Sequence, residues 1–463
     1  MSAVVHTQHE VRRARYAVAA VFAVHGAVTG SFATRVPWIQ DHAGVSAGQL
    51  GLALAFPALG ASLAMPLAGG ISHRFGARNA LRGLLALWTL ALVLPALAPN
   101  LLTLCLALFV YGATAGMSDV AMNALGVEVE NRLDRSIMSG LHGMWSVGAV
   151  VGSAAGTLAA HLGSDARLHH ALAAAVLTVV GFAACAWVLD LQPAEDEEPP
   201  PRFALPPRSA LLIGAIGFCA VFAEGASLDW SAVYLRDQLE TSAGLAAACT
   251  TGFTLTMAGG GRAGGPGGGG GGGGRAPPPP PRPAPPPPPR RAGGTPPPPP
   301  RAPAGAPAPP PPPVYPPPGG APPPGPPRVV DRYGAVRTVR ASGVVALLGG
   351  LLIVSARHPA VAMTGFALMG LGIAVVVPLC FAAAGRSGSN PSLAIAGVAT
   401  ITYTSGLIAP SAIGMLAQAT SLMVSFMLVT LLTCGIAGFA GVLRAGDRVK
   451  VTRPDAAVPE RRP

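Results

Sequence analysis

Charge is what this chain has least of. Asp, Glu, Lys and Arg make up 11% of its 463 residues, against about 25% in an average soluble chain. Hydrophobic residues make up 51% and the mean hydropathy is +0.49. That balance excludes a soluble globular domain and points to an integral membrane protein. Acid is scarcer than base, with 20 Asp and Glu against 31 Lys and Arg and a net charge of +11. The excess is no nucleic-acid footprint. Arg275, Arg282, Arg290, Arg291 and Arg301 lie in one low-complexity tract, and most other basic residues lie in short loops between apolar runs. Cysteine is sparse too. Cys105, Cys185, Cys219, Cys249, Cys380 and Cys434 all fall in apolar runs without metal-ligand spacing, and read as small packing residues. No metal or cofactor is expected, and there is no nucleophile elbow. The glycine-rich tract lacks the G-K-[ST] that ends a phosphate loop, so a polytopic membrane enzyme is the least favoured class. No signal peptide is expected either. Arg12, Arg13 and Arg15 lead straight into an apolar stretch too long for a signal sequence.

Long apolar runs dominate what is present. A crossing needs about 20 apolar residues. Twelve runs are read as spans, with soft edges: 16–36, 48–72, 80–99, 101–126, 138–162, 168–190, 209–233, 243–265, 341–356, 359–385, 393–417 and 420–443. The fold class is therefore all-α and polytopic. Between Leu50–Leu67 and Leu84–Leu97 lies a basic, glycine-bounded stretch, Gly69-Gly70-Ile71-Ser72-His73-Arg74-Phe75-Gly76-Ala77-Arg78. It is expected to form a tight turn, its glycines allowing positive φ and close approach. A second copy is interrupted: Gly265, then the tract, then Arg328-Val329-Val330-Asp331-Arg332-Tyr333-Gly334-Ala335-Val336-Arg337. Removing 266–327 restores G-x-x-x-D-R-x-G-x-x-R. Register agrees. Ser46-Ala47-Gly48 recurs as Ser242-Ala243-Gly244 and Gly69 as Gly265, both at an offset of 196. Beyond the tract, Gly76 to Gly334 and Gly112 to Gly370 share an offset of 258. The chain thus divides into a six-helix half at 1–190, a linker at 191–208 and a second half at 209–463, interrupted by the tract. Paired halves of this form are a transporter architecture.

Basic residues set the orientation. With the N-terminus in the cytoplasm, the cytoplasmic side holds 21 Lys and Arg, and the outer side only Arg35, Arg167, Arg236 and Arg357. Both termini are then cytoplasmic. Residues 266–327 are almost all Gly, Pro, Arg and Ala, a composition that buries no core. Those residue types share codons rich in G and C, so the tract reads as an expanded or misread stretch. The alternative is a disordered cytoplasmic loop for a proline-recognising partner.

Ionisable groups inside spans are expensive and mark candidate sites. Asp119 lies in span four with Asn123 one turn on, and a carboxyl in a span can carry a proton. Packing against a neighbouring helix is its bland alternative. Glu224 and Asp229 lie in span seven, Asp229 near the outer surface, and Trp230 beside them would stack on a substrate ring or anchor at the interface. His142, Trp145 and Ser146 share a face at the start of span five. Arg35, at the end of span one, would meet an anionic group in the outer vestibule or snorkel to headgroups. His25, mid-span, is a weaker candidate.

Two six-helix halves, each with this motif between its second and third helices, resemble the major facilitator superfamily over essentially the whole chain outside 266–327. In that family the motif gates the cytoplasmic side, its acid capping a helix end and its arginines pairing across the halves. The matching positions are Gly69, Arg74, Gly76 and Arg78, then Gly265, Asp331, Arg332, Gly334 and Arg337. The first copy departs from the pattern, with His73 where aspartate is expected, which removes the acid that charge-pair gating on that side would use. Ala33-Thr34-Arg35-Val36-Pro37, Asp119 with Asn123, His142-Gly143, and Phe222-Ala223-Glu224-Gly225 with Asp229-Trp230 are similar to the fucose-permease-like branch of bacterial inner-membrane transporters. In the fucose-type permeases an acid in span four, matched by Asp119, takes part in proton coupling. The span-five signature of drug antiporters, glycines around a Gly-Pro pair, is absent, since 148–163 contains no proline. The expected protein is a monomeric inner-membrane symporter whose partners are the lipid bilayer, protons and a small polar solute such as a sugar, with no nucleic acid. The rivals are a proton-driven exporter of a drug-like compound or metabolite, and a non-transporting receptor or scaffold displaying the proline-rich loop.

Overall fold

The computed structural model describes residues 8–133, 137–189, 208–264, 329–386 and 391–447. The tract 266–327, Gly265 and nearly all of the linker lie outside them. Every regular element among the described residues is helical. In chain order these are α1 (Gln8–Ala33), α2 (Val36–Ala43), α3 (Ala47–Phe75), α4 (Ala77–Ala91), α5 (Leu94–Leu97), α6 (Leu101–Leu133), α7 (Met138–His161), α8 (Ala166–Cys185), α9 (Arg208–Leu239), α10 (Ala243–Gly264), α11 (Val329–Ser355), α12 (Pro359–Ile373), α13 (Val376–Gly385), α14 (Pro391–Ala419) and α15 (Leu422–Phe439). A 3₁₀ turn, Ala440–Asp447, follows.

Helices occupy all twelve expected positions. Among the described residues, ten helical stretches are long and apolar enough to cross a bilayer. The other two positions hold α10 and α14, of 22 and 29 residues, which at 1.5 Å per residue also reach about 30 Å. The bundle's outer surface is apolar, with Leu102, Val179, Leu431 and Met415 all more than half exposed.

Several boundaries differ from the sequence expectation, each for a local reason. The third and tenth positions are broken helices, α4–α5 and α12–α13. Pro95 and Pro378 lack an N–H for the carbonyls of Ala91 and Ala374, and the helices stop there. α2 was not expected. It is a short helix with Pro37 in its first turn, closed by Gly44 at φ 63°. α9 continues to Leu239, past the expected end at 233. The basic stretch is not an extended turn, because α3 stays helical through Phe75 and the chain reverses at Gly76 alone, with φ 77° and ψ 149°. Gly334 has φ 76° and ψ 159° at the same motif position.

A second pair of positions shares the 258-residue offset. A methyl group built on Gly112 would lie 2.0 Å from the carbonyl oxygen of Pro57, and one built on Gly370 would lie 2.7 Å from that of Phe253. Pro57 and Phe253 are themselves 196 residues apart. The repeat therefore extends from sequence to helix contacts.

Two close helix pairs set the frame. α1 and α7 pack through glycine: methyl groups on Gly26, Gly30, Gly148 and Gly152 would fall 1.8–2.2 Å from backbone oxygens of the facing helix. α3 meets α14 where Gly51 and Gly414 face each other. This second contact lies at the end of the bundle that carries α2. At the opposite end, which carries the Gly76 and Gly334 turns, the stretch of α3 from 62 to 70 buries only Ala64 and Ala68.

Candidate functional site

Mid-length residues of α1, α7, α9 and α10 converge on a cavity of about 30 Å³. Thr29, Trp145, Ser146, Glu224, Phe253 and Thr254 are among the residues lining it. It joins helices that precede residue 190 to helices that follow 208, so Trp145 and Glu224 meet across the bundle. Glu224 lies at the middle of α9, half-buried, and makes no hydrogen bond or ion pair with any described residue. Hydroxyls of Thr29, Ser146 and Thr254 share the cavity with it. Each already donates to a carbonyl one turn back in its own helix, which leaves its lone pairs available.

Trp145 is held by a partner of the α1 helix. Its indole Nε1–H donates to Nδ1 of His25 at 3.3 Å. Nε2 of His25 faces the Ala115 carbonyl at 3.4 Å, which assigns the ring proton to Nε2. The His25 ring lies over Trp88 at 3.7 Å between centroids. Trp88 meets Tyr111 at 5.8 Å, and Tyr111 meets Phe32 at 5.1 Å. His25, weighed as a weak candidate, thus orients the tryptophan of the cavity. The signal for it was its spacing to Thr29, one turn apart on one face of α1.

The other candidates fall in separate places. On α6, Nδ2 of Asn123 donates to the Asp119 carboxylate at 3.2 Å and to its backbone carbonyl at 2.9 Å, so the expected pair forms. His142 is exposed and meets Phe22 edge-on at 5.3 Å. Asp229 is half-buried, and Tyr111 of α6 lies within reach of its charge. Because α9 is longer than expected, Asp229 is well inside the helix rather than at its outer end. Trp230 is fully buried with no partner for its indole N–H among the described residues. In this conformation it neither lines the cavity nor anchors at a membrane interface. Arg35 is 3% exposed and donates to the Ser164 carbonyl, so it does not snorkel.

Of the motif residues, Arg74 and Arg332 are exposed and lie over the rings of their neighbours Phe75 and Tyr333, each at 5.4 Å. Arg337 is exposed as well. Nε of Arg78 donates to the Val188 carbonyl at 2.8 Å, a contact made on its own side of the bundle. The Asp331 side chain lies outside the described residues.

One cross-bundle contact was not among the site candidates read from the sequence. Arg236, near the end of α9, donates from Nη1 to the Pro37 carbonyl at 2.6 Å and to Asp41 at 2.9 Å, and from Nη2 to Gln40 at 2.8 Å. It ties α9 to α2 and closes that end of the bundle. Gln418 of α14 accepts from the Gly48 amide at 3.3 Å beside it.

A bundle of membrane-crossing helices with an internal repeat, tied at one end and holding a carboxyl on the wall of a mainly apolar mid-bundle cavity, defines a multi-pass membrane transporter. Residues 18–275 match the profile of the Major Facilitator Superfamily, and the chain belongs to that family. It is 30% identical to an uncharacterised transporter, y4wD, of Sinorhizobium fredii, over 92% of this chain and 97% of the relative. Its fold is similar to that of the nucleoside transporter NupG, with a TM-score of 0.65, 11% identity and coverage of 92% and 99% of the two chains. It is also similar to a D-xylose–proton symporter, with a TM-score of 0.61, 11% identity and coverage of 94% and 97%.

Proposed function

We propose that the protein is a proton-coupled symporter of a small polar solute, a sugar in the first instance, working by alternating access. Glu224 carries this reading. It is a carboxyl in the middle of the membrane, without a partner among the described residues, on the wall of the cavity where the two sets of helices meet. A buried acid is tolerated in a span when it serves transport, and one whose exposure alternates can bind a proton on one side and release it on the other. The indole face of Trp145 suits the apolar face of a sugar ring, and Glu224 with the hydroxyls of Thr29, Ser146 and Thr254 suits its hydroxyl groups. Asp119, bonded to Asn123, is the second coupling acid. Asp229 and His142 line the route in other conformations. The D-xylose–proton symporter of similar fold supports the chemistry by analogy alone.

The two sets of helices are the moving halves, 1–190 and 209–463, joined by 191–208. In this reading the protein is a monomer in the inner membrane with the Gly76 and Gly334 turns and both termini in the cytoplasm, an orientation that the positive-inside count supports. The motif at Gly69, Arg74, Gly76 and Arg78, with its partner at Gly265, Asp331, Arg332, Gly334 and Arg337, gates that side.

The test is proton movement. Cells expressing the chain are suspended in weak buffer and given sugars and sugar acids one at a time while external pH is recorded. The expected result is alkalinisation with one compound, lost in Glu224→Gln and in Asp119→Asn at equal protein levels in the membrane. Silence towards every compound by correctly inserted protein would overturn sugar symport and favour export.

A further inference from the structure

A second cavity lies away from the interface between the two sets of helices. It has a volume of about 360 Å³ and is bounded by α1, α7, α8 and the loop that joins α7 to α8. Its rim is apolar and outward-facing: Val151, Leu168, Leu172 and Val176 are 57–60% exposed. It therefore opens sideways, towards lipid. Its α2 end is different in kind. There the wall is made by Ser164 and His169. His169 is 8% exposed, and neither of its ring nitrogens has a hydrogen-bond partner among the described residues. Arg35 stands behind Ser164, donating to its carbonyl, 3% exposed and with its Nε unpartnered. The nearby acid, Asp165, is engaged by Arg167 at 2.6 Å and 3.1 Å.

Unpartnered buried polar atoms cost free energy unless something satisfies them. An arginine and a histidine together ask for an anion. The cavity leads from them along α8 for the eight residues between His169 and Leu177, about 12 Å at 1.5 Å per residue. One leaflet of the hydrocarbon core is about 15 Å thick. A basic end near the membrane surface, followed by an apolar channel running towards the midplane and open to the side, has the polarity and length of one lipid chain in its own leaflet.

We propose that this cleft is a binding site for an anionic lipid, its phosphate held by Arg35 and His169 and one acyl chain lying between α7 and α8. The site is separate from the central cavity and does not depend on what the protein transports.

The test uses the full chain, purified and delipidated in a neutral detergent, with binding read by native mass spectrometry. The probes are hexadecyl phosphate, hexadecanol and inorganic phosphate. One hexadecyl phosphate per protein is expected. Its dissociation constant should rise at least about tenfold in Arg35→Gln, which removes the charge, and in Ala155→Phe, which fills the exposed apolar wall. Where Arg35→Gln fails to fold, Ala155→Phe and the hexadecanol comparison decide. Equal binding of hexadecanol would reduce the cleft to unspecific lipid contact and overturn the proposal. Displacement by inorganic phosphate at a similar concentration would overturn it in favour of a free-anion site, and binding that survives Ala155→Phe would place the lipid elsewhere.

Discussion

Gly76 and Gly334 are the two residues on which the loop motif turns. Their backbone, at φ 77° and 76° with ψ near 150°, lies in a region that only glycine occupies without strain. Gly69 and Gly70 belong to the same motif but are helical, with nothing within 4 Å of a methyl group built on either. Gly76→Ala and Gly334→Ala should each lower stability by about 1–3 kcal/mol. Gly69→Ala should be neutral or slightly stabilising, since alanine is the better helix former. Thermal unfolding in detergent separates the two cases, and equal losses at 69 and 76 would sink the argument. Sequence marks all four glycines alike because a motif records spacing and not φ. The same limit applies to side chains. Asp119 and Asn123 were legible as a pair because i and i+4 must be neighbours on a helix. The meeting of His25, Trp145 and Glu224 was not, because it depends on how three helices are rotated about their axes. Trp230 shows the converse, a polar-looking neighbour of two acids that the rotation of α9 turns into the core.

At the scale of elements, the α1–α7 pair is one of the two close glycine-mediated contacts in the N-terminal helices, with α3–α6 the other, and it holds both His25 and Trp145. Its closeness depends on residues without side chains, since a methyl group on Gly148 would lie 1.8 Å from the backbone oxygen of Ala23. Backbone cannot swing aside as a flexible side chain can. Gly148→Ala should therefore cost about 1–3 kcal/mol by overpacking and weaken the Trp145–His25 hydrogen bond. Gly143→Ala, one and a half turns away on the same helix with open space around it, is the control. A melting temperature as low for the control as for Gly148→Ala would mean that helix propensity, not the contact, sets stability. Helix positions were readable from apolar run length, and the repeat from constant offsets, because both follow the chain. Helix breaks were less so. Pro57, Pro66 and Pro410 lie inside unbroken helices, while Pro95 and Pro378 end theirs. A proline's missing donor is the same in each case, and what differs is whether the surroundings accommodate the freed carbonyl. α2 escaped notice because eight residues are too few to show a helical period.

For the whole molecule, the α2 end of the bundle carries a fastening between α9 and α2. At the α2 end the fastening is Arg236, which crosses from α9 to three acceptors on α2, one of them the backbone carbonyl of Pro37. The guanidinium side chain is 20% exposed but Asp41 is 69% exposed, so water screens the bond to Asp41, and the bonds to the Pro37 carbonyl and Gln40 carry most of the tie. In an alternating-access cycle they exist in one state and are lost in the other, so they act as a bias on the equilibrium between states. Charge-assisted hydrogen bonds are worth about 1.5–3 kcal/mol each, and losing even one net bond of that kind shifts the ratio of states by about tenfold or more. Arg236→Gln should thus populate a conformation open at the α2 end without unfolding the protein. Spin labels at Gln49 and Thr420, both exposed and on opposite sides of the α3–α14 contact, read this directly on a cysteine-free background. The parent chain should give one short distance, and Arg236→Gln should add a longer one at the expense of the first. Asp41→Asn removes the charge from one of the three acceptors and should give a smaller shift in the same direction. If both variants leave the distances unchanged, the halves are held at this end by the Gly51–Gly414 contact and the arginine is a bystander.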